Sequence, residues 1–93
     1  MRFKSEGQLR EYWDIERQNA RHEFMEKAKK QGRNETDEEV KQFIDLWENL
    51  LLKNELEAVC QLFREENIYR TDIEVSRHFE RDLKPIGELM WNR

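Results

Sequence analysis

The chain has 93 residues, of which 37% are hydrophobic and 41% charged, and its formal net charge is −4. This is one domain's worth of chain, and a domain of this size buries only roughly 60–65% of its unfolded surface. An aromatic content of 11% and regular apolar spacing argue against disorder, despite the high charge. The composition therefore predicts a single folded domain over residues 1–93.

Features of membrane-spanning and secreted proteins are lacking in the sequence. Its longest aliphatic run is Leu50-Leu51-Leu52, far short of the ~20 residues that span a bilayer. The first residues carry Arg2, Lys4 and Glu6 with no apolar stretch behind them, so we expect no secretory signal. The single cysteine, Cys60, cannot form an internal disulfide. These features predict an intracellular, cytoplasmic protein with no membrane partner.

A helix-start pattern occurs four times in the chain. In each case a small polar side chain can accept from the free amides of the first turn, and a Glu or Gln three residues later can bond back. The four patterns begin at Ser5, Thr36, Asn54 and Thr71. They predict an all-α domain of four helices.

The first helix is predicted from about Glu6 to Gln31, with Gly32 as the left-handed residue that ends it. One narrow apolar stripe along this helix holds Leu9, Trp13, Ala20 and Phe24, with Tyr12 on its flank. Glu16 interrupts the stripe. We expect Arg17 or a residue on a facing helix to pair with it.

The second helix is predicted to begin at Asp37. Its core face holds Val40, Ile44, Trp47 and Leu51, with Phe43 and Leu50 beside them. Residues 37–66 form either one long helix or two helices with a corner at Lys53 and Asn54. Because a single helix of this length far exceeds the ~11–12 residue mean, we favour two. The part after the corner presents a further core face, Leu56, Val59, Cys60 and Phe63.

After a connector at residues 67–70, Thr71 is expected to cap the last helix. Val75, Phe79 and Leu83 form its core face. Pro85 removes a backbone donor, so the helix is expected to end or kink there, and the apolar stripe resumes as Ile86, Leu89 and Met90. The whole pattern predicts a small helical bundle built on an antiparallel helical hairpin, four helices plus a short kinked C-terminal segment.

Charge is unevenly distributed, with a net +3 over residues 1–34, −7 over residues 35–68 and zero over residues 69–93. One interpretation is that the basic first helix pairs with the acidic second one inside the molecule. The other is an acidic face that attracts a basic partner. The residues predicted to form that face are Asp37, Glu38, Glu39, Asp45 and Glu48.

Catalytic signatures are weak. There is no glycine-rich phosphate loop, no paired cysteine motif and no histidine pair at metal-ligand spacing. Glu74, His78 and Asp82 share one face of the last helix, but ion pairing on a helix surface explains this spacing better than a metal or acid–base site. Cys60 lies on a core stripe, where a free thiol behaves as a small hydrophobe. We therefore expect no enzyme activity, cofactor or metal.

Two binding functions remain. Residues 55–83 have the length of a helix-turn-helix, but the second helix would present Asp72 and Glu74 to DNA, and the sequence pI is 5.3. A DNA-binding regulator is therefore the alternative. The main prediction is a non-catalytic protein-binding module, that is, an adaptor, assembly subunit or small regulatory inhibitor.

Its expected partner is another protein with a basic surface, and self-association as a homodimer is left open. The C-terminal residues Leu89, Met90 and Trp91 are the predicted apolar anchor for that partner. The same segment has a simpler interpretation, in which it is a lid that closes the chain's own core.

Overall fold

The computed structural model of the chain describes residues 2–34, 36–67 and 70–91, and three long helices make up nearly all of them. Helix α1 is Glu6–Lys30. Helix α2 covers residues 38–66, in which a π-helical stretch, Leu46–Leu52, joins the α-helical Glu38–Asp45 and Lys53–Glu66. Helix α3 covers residues 72–91, in which the π-helical Phe79–Leu83 joins Asp72–His78 and Lys84–Trp91. The all-α class is confirmed, with three helices in place of the predicted four.

Two helix starts lie where the sequence pattern puts them. The Ser5 side chain accepts from the Gln8 amide at 3.2 Å, and the Thr71 side chain accepts from the Glu74 amide at 3.1 Å. Each bond satisfies one of the amides that a helix N-terminus leaves free. These two caps therefore fix the first residues of α1 and α3.

Helix α2 begins one residue later than predicted. The Thr36 hydroxyl donates to Asn34 Oδ1 at 2.5 Å, so it does not cap the helix. Asp37 takes that position, and its carboxylate accepts from the Glu39 amide at 2.9 Å. The predicted connector at residues 67–70 falls partly outside the described residues.

The predicted corner at Lys53 and Asn54 is wrong. Lys53 has helical backbone angles, φ −65° and ψ −43°, and the helix continues through Asn54 to residue 66. Leu52 and Cys60 on either side are both buried in the core. Tertiary packing of this face therefore overrides the local capping preference of asparagine.

Of the two outcomes predicted for Pro85, an end or a kink of the helix, the end does not occur, because the helix continues to Trp91. A proline ring clashes with the carbonyl four residues earlier, here that of Arg81, and leaves this carbonyl without its usual donor. Arg81 lies inside the π-helical stretch Phe79–Leu83, where the hydrogen-bond pattern is already widened. The irregular turn thus lets the helix pass the proline.

Contacts between helices define an up-down-up bundle. Helices α1 and α2 are antiparallel, as the ion pairs Glu6–Arg64, Arg10–Glu57 and Arg17–Glu48 show. Helix α3 is parallel to α1, as its contacts show: Tyr12–Ser76, Glu23–Lys84 and Lys27–Glu88. The bundle measures 45 × 21 × 20 Å, so it is a short rod.

The three helices meet at an aromatic cluster. Phe24 packs edge-on against Phe43 and Trp47, with ring centroids 5.1 and 4.8 Å apart. Trp47 is fully buried, and its Nε1 donates to the Leu83 carbonyl at 3.1 Å. Gly87 lies directly against Phe24 and Trp47. The absence of a side chain at Gly87 therefore permits the close approach of α3.

Three residues expected in the core stripes are exposed: Leu50 by 61%, Ile86 by 40% and Leu89 by 74%. Leu52 and Gly87 are buried near them instead. Each misplaced residue lies within or just after a π-helical stretch, whose wider turns rotate the following side chains relative to a regular α-helix. The register of the apolar stripes therefore changes at both irregular turns.

Candidate functional site

The contacts that α2 and α3 make with α1 show which side of each of these two helices faces away from α1. Glu48 on α2 pairs with Arg17 at 3.1 Å, and Lys84 on α3 pairs with Glu23 at 3.1 Å. Two residues along a helix turn through about 200°. Side chains two residues away from an α1 contact therefore lie on the opposite flank.

Four exposed apolar side chains occupy this opposite flank. Leu46 and Leu50, 50% and 61% exposed, lie two residues on either side of Glu48. Ile86 lies two residues after Lys84, and Leu89 follows it by one helical turn. Because α2 and α3 are antiparallel neighbours here, through Trp47 and Leu83, we infer that these four side chains lie on one side of the bundle, and we refer to them as the apolar area.

A groove of about 390 Å³ lies between the other halves of the same two helices. Its apolar walls are Ala58, Val59 and Leu62 on α2 and Val75 on α3, and Trp13 also lines it. This volume is at the lower end of the ~300–1,000 Å³ typical of ligand pockets. The groove is therefore large enough for a few apolar side chains of a partner.

Charged side chains border the groove, and most of them pair with one another. Arg70 Nη1 lies 3.3 Å from Glu74 Oε2. His78 contacts Asp82 through Nδ1 at 2.8 Å and Glu55 through Nε2 at 3.1 Å. Along α3, Ile86 of the apolar area follows Asp82 of the groove by one turn.

We name the groove and the neighbouring apolar area together the outer groove. It comprises the apolar area of Leu46, Leu50, Ile86 and Leu89 and the groove walls Ala58, Val59, Leu62 and Val75. From residue 46 to residue 62 it extends about 24 Å along α2, at about 1.5 Å per residue. Of this surface the sequence predicted only Leu89 as a partner-binding residue, because regular helical spacing places Leu50 and Ile86 on core stripes.

The predicted C-terminal anchor is divided between core and surface. Trp91 packs on Phe43 at 5.1 Å, and its Nε1 donates to Gln31 Oε1 at 3.1 Å. Met90 also packs against the chain's own core. Leu89 alone among the three points outward, 74% exposed. Met90 and Trp91 therefore close the end of the bundle, and Leu89 belongs to the outer groove.

The predicted acidic face is partly neutralised inside the molecule. Glu48 pairs with Arg17, and both Asp37 and Glu39 pair with Arg33. In the part of the chain that the structure describes, the carboxylates of Glu38 and Asp45 have no partner. A basic partner would therefore meet two free carboxylates instead of five.

Glu74, His78 and Asp82 do not act as a group. The Glu74 carboxylate faces Arg70, and the histidine is shared by Asp82 and Glu55. Over residues 2–34, 36–67 and 70–91, no cluster of three or more His, Cys, Asp or Glu side chains is arranged to hold a metal ion. Ion pairing accounts for these contacts.

Glu16, the polar residue in the α1 stripe, is bonded to a facing helix. Ser76 Oγ on α3 donates to Glu16 Oε1 at 2.8 Å, and the Tyr12 hydroxyl lies 3.0 Å from the same Ser76 oxygen. The bond with Ser76 lowers the pKa of Tyr12, but burial and the Glu16 carboxylate raise it by more, and the net direction is upward. The network satisfies Glu16 at the α1–α3 contact.

Cys60 is fully buried, and this burial raises the pKa of its thiol. A buried thiol with a raised pKa is a poor nucleophile. The structure therefore gives Cys60 the environment of a core residue.

The start of α3 bears on the DNA-binding alternative. Its first turn carries the carboxylates of Asp72 and Glu74, as the sequence shows. Helices α2 and α3 form an antiparallel hairpin, with contacts that include Glu55–His78 and Phe43–Trp91. Helix-turn-helix motifs instead cross at about 90–120°. Neither feature favours entry of α3 into a major groove.

Among the described residues, no helix combines the length and hydrophobicity that a membrane crossing requires. Comparison with known proteins finds no matching family model, no matching curated protein and no matching solved structure.

Proposed function

We propose that the chain is a non-catalytic protein-binding module and that the outer groove is its binding surface. The observation that carries this proposal is the exposure of Leu46, Leu50, Ile86 and Leu89 along one face of two adjacent helices. Grouped apolar side chains on a soluble surface are a frequent mark of interaction sites, whereas single ones are ordinary. Ile15 and Ile73, which are 54% and 57% exposed, are of the ordinary kind.

Burial of these four apolar side chains by a partner would contribute free energy to binding. Complete burial of a leucine or isoleucine side chain contributes about 1.5–3 kcal/mol relative to full exposure. The four side chains are already partly covered, so a partner gains only part of this from each. Together with the groove walls they suffice for a specific complex of moderate affinity. An adaptor, an assembly subunit and a small regulatory inhibitor all use such a surface.

Affinity capture with matched variants tests the proposal. The immobilised chain is compared with Leu50→Asn/Leu89→Asn, which changes the outer groove, and with Ile15→Asn/Ile73→Asn, which makes the same change on equally exposed residues elsewhere. We expect proteins retained by the wild type to remain on the control variant and to be lost from the groove variant. Equal retention by all three baits would contradict the proposal.

A further inference from the structure

The outer groove carries two guanidinium groups that the chain leaves unpaired. Arg77 and Arg81 lie one turn apart on α3, and both line the groove beside Val59 and Leu62. Within residues 2–34, 36–67 and 70–91, neither side chain has an ion pair or a hydrogen bond. The other titratable groups that line the groove have partners in the chain, since Arg70 contacts Glu74 and the His78 ring contacts both Glu55 and Asp82.

Arg70, which also lines the groove, adds a third donor. Its Nη1 is used by Glu74, but its Nε is buried and has no hydrogen-bond partner among the described residues. A buried donor without a partner costs about 1–3 kcal/mol, and a carboxylate that entered the groove could accept from it. The groups of the groove that remain free to hydrogen-bond are therefore donors on positively charged side chains.

We propose that the occupant of the outer groove is an amphipathic helix of another protein, with an apolar face along α2 and α3 and carboxylates that pair with Arg77 and Arg81. This inference rests on the proposed function, because it assigns a partner chemistry to the same surface. A helix of about 16 residues matches the ~24 Å length of the groove. Packed between two antiparallel helices, it completes a four-helix arrangement.

The charges close to the groove decide whether it favours a negatively or a positively charged partner helix. The chain as a whole carries −4, but exposed charges beyond the Debye length of ~8–10 Å are largely screened. Beside the apolar area on α2, Asp45 and Lys53, both unpaired among the described residues, carry opposite charges that offset each other. Among the charged residues that line the groove itself, those without a partner in the described part of the chain are Arg77 and Arg81. A lysine-rich helix would meet like charge there, whereas carboxylates would form charge-assisted hydrogen bonds with the two guanidinium groups.

Two synthetic peptides provide the test. Both are amphipathic helices of about 16 residues with leucine at positions i, i+3, i+4 and i+7; one carries glutamate on the flank of that stripe and the other carries lysine at the same positions. Binding to the full chain is measured by fluorescence anisotropy at low and at high salt. Two exposed Arg–carboxylate pairs predict about 2- to 30-fold tighter binding of the glutamate peptide, with the preference reduced by salt.

Two double variants test whether Arg77 and Arg81 cause the preference for the glutamate peptide. Arg77→Ala/Arg81→Ala should abolish it, and Lys29→Ala/Lys30→Ala, which removes two exposed cations from α1, should leave it unchanged. Thermal melts of each variant confirm that the fold is retained.

The outcomes separate the two proposals. If both peptides bind equally and Leu50→Asn/Leu89→Asn abolishes binding, the outer groove remains a binding surface and the acidic partner is overturned. Preference for the lysine peptide would likewise overturn the acidic partner. If neither peptide binds, the helical occupant is overturned, while affinity capture still decides on the proposed function. Binding that survives both the arginine and the leucine substitutions contradicts both proposals.

Discussion

Substitution of Gly87 by alanine should destabilise the protein, although glycine is normally a poor helix residue. Gly87 lies in α3 where α1 and α2 converge on it. A Cβ atom at this position would lie 2.7 Å from Phe24 Cζ and 2.9 Å from Trp47 Nε1. Both rings are buried, so neither can move aside into solvent.

The magnitude follows from three contributions. Alanine gains about 1 kcal/mol in helix propensity over glycine. Overpacking of a filled core costs about 1–3 kcal/mol. Displacement of the Trp47 ring would also weaken its hydrogen bond to the Leu83 carbonyl, worth about 0.5–1.5 kcal/mol. The net expectation is a loss of about 2 kcal/mol in the free energy of unfolding, or roughly 8–16 °C in Tm.

Urea unfolding followed by circular dichroism and tryptophan fluorescence measures this loss. Gly7→Ala is the matched control, because the nearest atom to its Cβ outside the local helix backbone is Ser5 Oγ at an ordinary 3.8 Å. This control should gain up to about 0.4–1 kcal/mol. A Gly87→Ala protein as stable as the wild type would refute the packing described for the three helices.

Three further predictions concern the core, pH and DNA. Trp47→Phe removes the donor to the Leu83 carbonyl and should lower the free energy of unfolding by about 1–3 kcal/mol in the same urea assay, whereas an unchanged midpoint would contradict the bond. Because burial raises the pKa of Cys60, its stabilising contribution is complete below the unfolded-state pKa of about 8.5 and is lost as pH rises toward the folded value. Urea titrations at about pH 7 and about pH 10 should show this decline, and Cys60→Ala should reduce it. Duplex DNA should not be retarded in a low-salt gel, and a salt-sensitive shift that Arg77→Ala weakens would support the DNA-binding alternative instead.

Much of the fold could be predicted because it depends on local chemistry. Ser5 and Thr71 cap helices through their own first turns, and Gly32 takes the left-handed conformation, φ 76°, that favours glycine after a helix. The buried faces of α1 and of the first turns of α2 follow regular helical spacing. These signals need no knowledge of the rest of the molecule.

The remaining features depend on tertiary packing. Asn54 has the side chain of a helix cap, yet the burial of Leu52 and Cys60 keeps its backbone helical. Placing side chains with one fixed rotation per residue assumes a regular α-helix and does not include π-helical turns. For this reason Leu50 was expected beside the core face, although it is exposed. Phe3 was missed too, because its burial depends on a hydrogen bond from its amide to the distant Arg70 carbonyl at 3.1 Å.

The candidate site was predictable only in part. Leu89 was expected to contact a partner and is exposed, but the Met90 and Trp91 side chains pack on the chain's own core. Of the five carboxylates predicted to form an acidic face, only those of Glu38 and Asp45 are unpaired in the part of the chain that the structure describes. Which carboxylates find a cation inside the molecule depends on the alignment of α1 with α2, and no local pattern specifies it.

Residue-resolved chemical-shift mapping tests the central claim most directly. The ¹⁵N-labelled chain is titrated with the glutamate peptide while amide shifts are recorded. We expect perturbations along α2 from residue 46 to residue 62 and along α3 from residue 74 to residue 89, with none on the exposed face of α1 around Ile15. Perturbations centred on α1, with the outer groove unchanged, would contradict the account.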